Sequence, residues 1–215
     1  MRYKRNQVEE AIFRTLGARD ARIDELKFRL KRLLVTDRRL GRDVDSEEGD
    51  RHYAFYSQDP PGSGTEVMFS GYEAFALLAA ITLLEHGLPQ AAVVKVMRQV
   101  RRPLEAAHGE SLTKDWNTLF DEQAIRAQAK EGMIAVDNTD PIFLAFVRLT
   151  DSAVGNQKGN GAVAVCRGYR ALGDFFTKHS VPGAGMSIFE FVRPIHFMAA
   201  NLLQVRPAKR GRGAT

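Results

Sequence analysis

The sequence predicts an α+β chain in two parts, a helical N-terminal half interrupted once by a β-hairpin and a smaller α+β segment behind it. Three observations carry that prediction. Apolar residues recur at helical spacing through residues 6–40 and again through 70–104. Two short aromatic and β-favouring runs, 52–56 and 65–69, flank the Pro/Gly-rich stretch SQDPPGSG. After residue 130 short apolar runs alternate with turn sequences and end in a helical pattern.

In order along the chain, Val8, Ala11, Ile12 and Leu16 mark a first helix over 6–16, with Asn6 as its N-cap and Gly17 as its stop. A second helix is expected from about Arg22 to Leu40. Its stripe is Ile23, Leu26, Leu30, Leu33 and Leu34, with Lys27, Lys31, Arg38 and Arg42 along one flank and Arg29, Arg32 and Arg39 over the opposite surface. DVDSEEGD (43–50) reads as an exposed loop. HYAFY and TEVMF then pair as a hairpin. Ser70 with Glu73 forms a capping box and opens a helix apolar on nearly every side, as a central core element is. Gly87 ends it, and Pro89 occupies the first position of the next helix. There Val93, Met97, Val100 and Leu104 fall at 4–3–4 spacing until Pro103 breaks or kinks the run.

The polar, amphipathic stretch 111–130 is anchored by Trp116, Leu119, Phe120 and Ile125. Strands are expected at Met133–Val136, Ile142–Leu149 and Ala162–Arg167, a helix over 169–179, a fourth strand at Ser187–Val192 and a closing helix over Arg193–Val205. The order is β–β–β–α–β–α, and the SIFEF segment fits equally the first turns of one longer helix. The expected domains are 1–108, a connecting helical segment 109–129, a small α+β domain 130–205 and a basic, disordered tail 206–215.

Composition bounds the function. With 44% hydrophobic and 27% charged residues the chain reads as a soluble globular protein. The longest charge-free apolar run, Ala74–Leu84, is too short to span a bilayer, so no membrane association is expected. MRYKRNQVEE leads into no apolar leader segment, and the single cysteine, Cys166, leaves no internal disulfide, so a cytoplasmic location is expected. Charge is segregated. Residues 1–42 hold thirteen Lys/Arg against six Asp/Glu, DVDSEEGD holds five acids and no base, and RPAKRGRGAT holds four bases and no acid. That distribution suits contact with a polyanion.

Catalytic and metal chemistry find no support in the residues. Asp137-Asn138-Thr139-Asp140-Pro141 places two carboxylates three apart, but Asn, Thr and Asp before Pro are turn chemistry. Gly155–Gly161 contains a lysine without the spacing of a phosphate loop. His52, His86, His108, His179 and His196 stand far apart, and Cys166 lies in an apolar strand as a buried thiol would. No enzyme activity, metal or cofactor is expected.

The order helix–helix–hairpin–helix–helix is similar to a winged helix-turn-helix DNA-binding domain. Phe69 and SGYEAFALLAAITLLEHGLPQAAVVKVM after it resemble the helix pair that follows the wing in MerR-type regulators. The chain differs from that family in carrying Asp37-Arg38-Arg39 in place of an Arg-Tyr-Tyr signature, in the acidic loop, and in Pro103. The resemblance implies an α+β protein that reads double-stranded DNA as a homodimer, a transcriptional regulator. Lys27, Lys31, Arg38, Arg39 and Arg42 would meet phosphates, Arg38 or Arg39 alternatively guanine edges, and Ser63, between Gly62 and Gly64 at the wing tip, would lie along the backbone. Val93, Met97 and Val100 are the expected dimer contacts or, alternatively, core. Two other functions fit the same residues: an interaction scaffold whose basic surface meets an acidic partner, and an RNA-binding factor stacking bases on Tyr53, Phe55 and Tyr56.

Overall fold

The computed structural model describes residues 1–17, 22–42, 51–60, 66–129, 137–149, 161–182 and 184–206. They form an α+β protein whose chain divides into two compact units. The first comprises Met1–Arg101 with His196–Thr215, and the second Arg102–Ile195.

The first unit opens with β1 (Tyr3–Lys4) and α1 (Arg5–Leu16). The residue before α1 is Lys4 rather than the expected Asn6, and the Gln7 side chain closes the end by accepting from the Lys4 N–H at 3.0 Å. Gly17 ends α1 at φ +59°, a left-handed conformation that glycine adopts without strain. Helix α2 (Ile23–Leu40) buries Leu26, Leu30, Leu33 and Leu34 as their spacing requires. After β2 (Met68–Phe69) comes α3 (Gly71–Glu85), begun by the reciprocal Ser70/Glu73 capping box and buried on every side, against α1, α2 and α4 (Gln90–Gln99). Here Pro89 stands one position earlier than expected, as the N-cap. The run after it is two helices, since α4 ends at Gln99 and α5 (Arg101–Ser111) starts anew with Pro103 in its first turn, where a missing N–H costs nothing.

Two expectations are corrected in this unit. Residues 52–56 form no strand, and Met68–Phe69 pairs antiparallel with Tyr3–Lys4, so the wing hairpin is absent among the described residues. The physical reason is that Tyr53, Ala54 and Phe55 are buried in succession and their backbone groups bond to side chains, leaving no ladder to extend. Val93, Met97 and Val100 are core, each no more than 2% exposed, and are not a free dimer surface.

In the second unit α6 (Trp116–Leu119) and α7 (Glu122–Gln128) precede a three-stranded antiparallel sheet of β3 (Ile142–Leu149), β4 (Val163–Arg167) and β5 (Ala184–Glu190), in the order β4-β3-β5. The central strand is apolar on both faces, and Ile142 to Val147 are all buried. Phe143, Ala145 and Val147 share one face with Cys166, and α8 (Gly168–His179) covers that face with Leu172 and Phe175. Ser187–Glu190 of the SIFEF segment lie in a strand, β5, and not in a helix. Helix α9 (Val192–Gln204) begins in this unit and continues into the first. The expected strand 133–136, the acidic loop 43–50, the loop residues 151–160, Ser63 and the tail residues 207–215 lie outside the described residues.

Candidate nucleic-acid interface

Helix α2 is amphipathic in an unusual sense: its outer face is not uniformly polar. At about 100° per residue, Leu26, Leu30, Leu33, Leu34 and Asp37 form the stripe that packs toward α1, α3 and α4. Diametrically opposite stand Phe28, 59% exposed, and Val35, 50% exposed. Lys31, Arg32, Arg38 and Arg39 flank them, and all four are exposed. The arrangement repeats with a period of seven. Phe28 and Val35, Lys31 and Arg38, Arg32 and Arg39 are each two turns apart, so each pair lies one above the other, separated by about 10.5 Å. The Arg32 guanidinium stands 5.6 Å from the Phe28 ring centroid and steadies the aromatic side chain in solvent.

Exposed negative charge on this helix is confined to its first turn, where Asp24 and Glu25 complement the helix dipole; the one further acid, Asp37, is buried on the core stripe. Glu25 pairs with Arg29, and Asp24 lies 3.8 Å from Lys27. Beyond that turn the outer face has no acid. Among the described residues Lys31, Arg32, Arg38 and Arg39 make no ion pair.

The expected contact residues therefore fall into three groups. Lys31, Arg38 and Arg39 stand together on the exposed face. Lys27 is exposed beside Asp24, and Arg42 is engaged, paired with Asp59 at 2.7 Å and stacked 5.5 Å from the Tyr53 ring. Ser63 lies outside the described residues. Sequence reasoning left out Arg32, Phe28 and Val35. Their signal was present in the seven-residue spacing, but the solvent side of a helix cannot be told from its core side by two apolar residues alone.

What fixes this face is a buried polar clip at the C-terminal end of α2. The Asp37 carboxylate, fully buried, accepts from the Ala54 N–H (3.1 Å), the Phe55 N–H (3.0 Å) and Arg98 Nε (2.8 Å), while Arg98 Nη2 donates to the Asp37 carbonyl at 2.6 Å. Burial pushes the Asp37 carboxyl above its ordinary range, and those bonds pull against it. Arg101 donates to the carbonyls of Tyr53 (2.6 Å) and Ala54 (3.1 Å). Glu73 accepts from the N–H and the hydroxyl of Ser57 while capping α3. The run 53–57 is thus held by four charged side chains, one each from α2, α3, α4 and the first residue of α5. It ties α2 to α3, α4 and the start of α5.

Asp137 pairs with Arg193 and Asp140 with Lys114, which leaves the DNTDP carboxylates occupied in a turn. Burial pushes the Cys166 thiol up, which disfavours the thiolate. No group of three His, Cys, Asp or Glu that would hold a metal ion occurs among the described residues. The chain matches no protein-family model, no curated protein and no solved structure.

Proposed function

We propose that this protein binds double-stranded DNA, and that the outer face of α2 enters the major groove. The observation that carries this reading is the set of four cations, Lys31, Arg32, Arg38 and Arg39, gathered on one rigid helix face with no acid partner among the described residues. A second copy of the chain is a poor occupant, because it would oppose like charges on like. A polyanion is the complement. The helix is about 10–12 Å across with its side chains, and the major groove of B-DNA is about 12 Å wide. The seven-residue repeat gives two tiers of cations about 10.5 Å apart along one straight element, which suits a duplex better than a flexible single strand.

The RNA reading keeps only one of its three stacking residues, since Tyr53 is 8% exposed and Phe55 is fully buried, while Tyr56 is half-buried against Tyr53 and Phe69. The winged-helix form of the DNA reading loses its hairpin, and α2 alone supports what is proposed here. One helix makes few contacts, so a specific site calls for two copies on two half-sites, as expected of a homodimeric transcriptional regulator.

The test is selection of duplexes from random sequence, followed by affinity titrated against salt, with single-stranded RNA as comparator. Binding is expected to fall steeply with salt, with a log–log slope of about −0.9 for each phosphate contacted. Replacing Lys31→Glu and Arg39→Glu together should weaken binding and flatten that slope by about one per lost contact, with thermal stability unchanged. Unchanged affinity in this variant, or binding indifferent to salt, overturns the proposal.

A further inference from the structure

The four cations explain attraction to a polyanion, but they do not explain why a phenylalanine and a valine stand between them in solvent. Phe28 is 59% and Val35 50% exposed on the face opposite the core stripe of α2, so neither is needed to pack the fold. An apolar side chain on a surface built for nucleic acid has one apolar complement in the major groove, the C5-methyl group of thymine. The other recognition groups there are hydrogen-bond donors and acceptors, which a phenyl ring or an isopropyl group would desolvate without return, and cytosine offers only a bare C5–H where thymine has its methyl.

We infer that Phe28 and Val35 are the specificity-determining residues of the α2 face, and that each packs on a thymine methyl. The inference rests on the proposed duplex reading. Its geometry is set by the spacing: the two side chains are seven residues and about 10.5 Å apart on one stripe, which is about three base-pair steps of about 3.4 Å each. The preferred half-site carries thymines at two positions about three steps apart, with phosphates or guanine edges at Lys31, Arg32, Arg38 and Arg39 beside them. The Arg32 guanidinium over the Phe28 ring restricts the ring before binding and lowers the entropy lost when it docks.

The probe is the selected duplex in which single thymines are replaced by deoxyuridine, a change that deletes the methyl and keeps every hydrogen-bonding group. Wild-type protein is expected to lose about fourfold in affinity per methyl at two positions three steps apart and nothing elsewhere. Phe28→Ala should bind the thymine duplex more weakly and become indifferent to deoxyuridine at one of those positions, and Val35→Ala should do the same at the other. Equal wild-type affinity for both duplexes, or a Phe28→Ala protein that still discriminates, overturns the inference while leaving salt-dependent duplex binding in place. Absence of any salt-dependent duplex binding overturns the underlying reading as well. Tight binding of Phe28-dependent kind to vesicles of phosphatidylserine and phosphatidylcholine, without preference among duplexes, would assign these side chains to a lipid surface and overturn both.

Discussion

Asp37 shows how one side chain can decide the shape of a surface it never reaches. Its carboxylate is surrounded by two backbone N–H groups and the Arg98 guanidinium, itself 3% exposed, and the Arg98 guanidinium lies 5.6 Å from the Tyr53 ring. Removing the acid strands a buried cation and two amide donors, a mechanism that costs about 3–5 kcal/mol when one partner of a buried pair is lost. Asp37→Ala is therefore expected to lower unfolding free energy by that amount in urea titration, although the residue is remote from the exposed cations. A loss below about 1 kcal/mol would mean that solvent enters the clip. The sequence carries a signal for this residue. Position 37 follows Leu33 by four and Leu34 by three, placing an acid on the apolar stripe of α2. A buried acid demands donors, and Arg98 supplies one from a helix run in which apolar spacing marks only the core residues. Pairwise needs of this kind connect residues about sixty positions apart, which periodicity does not register.

At the level of elements, local rules were readable wherever the chain satisfies its own backbone. The glycine stop of α1, the Ser70/Glu73 box of α3, the span of β3 and the limits of α8 all follow from neighbours within four residues or from alternation along one strand. The hairpin failed because HYAFY has strand composition while its N–H and C=O groups are claimed by Asp37 and Arg101. The joint between β5 and α9 offers a test with a pH axis. Glu190 accepts from the Val192 N–H at 2.8 Å and from the buried Asn138 amide at 3.0 Å, so it positions the start of α9. Burial pushes the Glu190 carboxyl above its ordinary range despite those bonds. The native state then holds the proton more tightly than the unfolded chain, and this group's contribution to stability falls as pH rises from the ordinary glutamate value through the raised one. Glu190→Gln keeps an acceptor and removes the ionisation. Relative to wild type it is expected to gain in melting temperature between mildly acidic and neutral pH, and to lose that gain at the acidic end. A difference that does not vary with pH would show that the joint is hydrated.

Over the whole molecule, the first unit is built from two pieces of chain that are far apart in sequence. The chain leaves it at Arg101 and returns at His196, inside α9. The returning piece is fastened to α1: the Asn201 amide donates to the Thr15 hydroxyl at 3.0 Å, and the Gln7 amide donates to the Val205 carbonyl at 2.9 Å. Met198, Leu202 and Val205 are buried at 1%, 3% and 8% exposure. Each buried side chain of this size contributes roughly 1.5–3 kcal/mol as an upper estimate, while a small domain has only about 5–15 kcal/mol in total. A linear reading of domains divides a chain where its composition changes, and it has no means of returning a C-terminal helix to an N-terminal core. The proposed DNA-binding face belongs to this unit, so its rigidity depends on the returning helix. Residues 1–101 alone are expected to melt with low cooperativity and to lose amide-exchange protection in α1 first. The same residues joined to 196–206 by a short flexible linker should recover a sharp transition. Because α2 keeps its sequence in both, comparing their duplex affinities separates the chemistry of the face from the scaffold that holds it. Recovery of binding together with cooperativity would tie the interface to the closed unit, and full cooperativity in 1–101 alone would show that α9 only covers a core that α1 to α4 already complete.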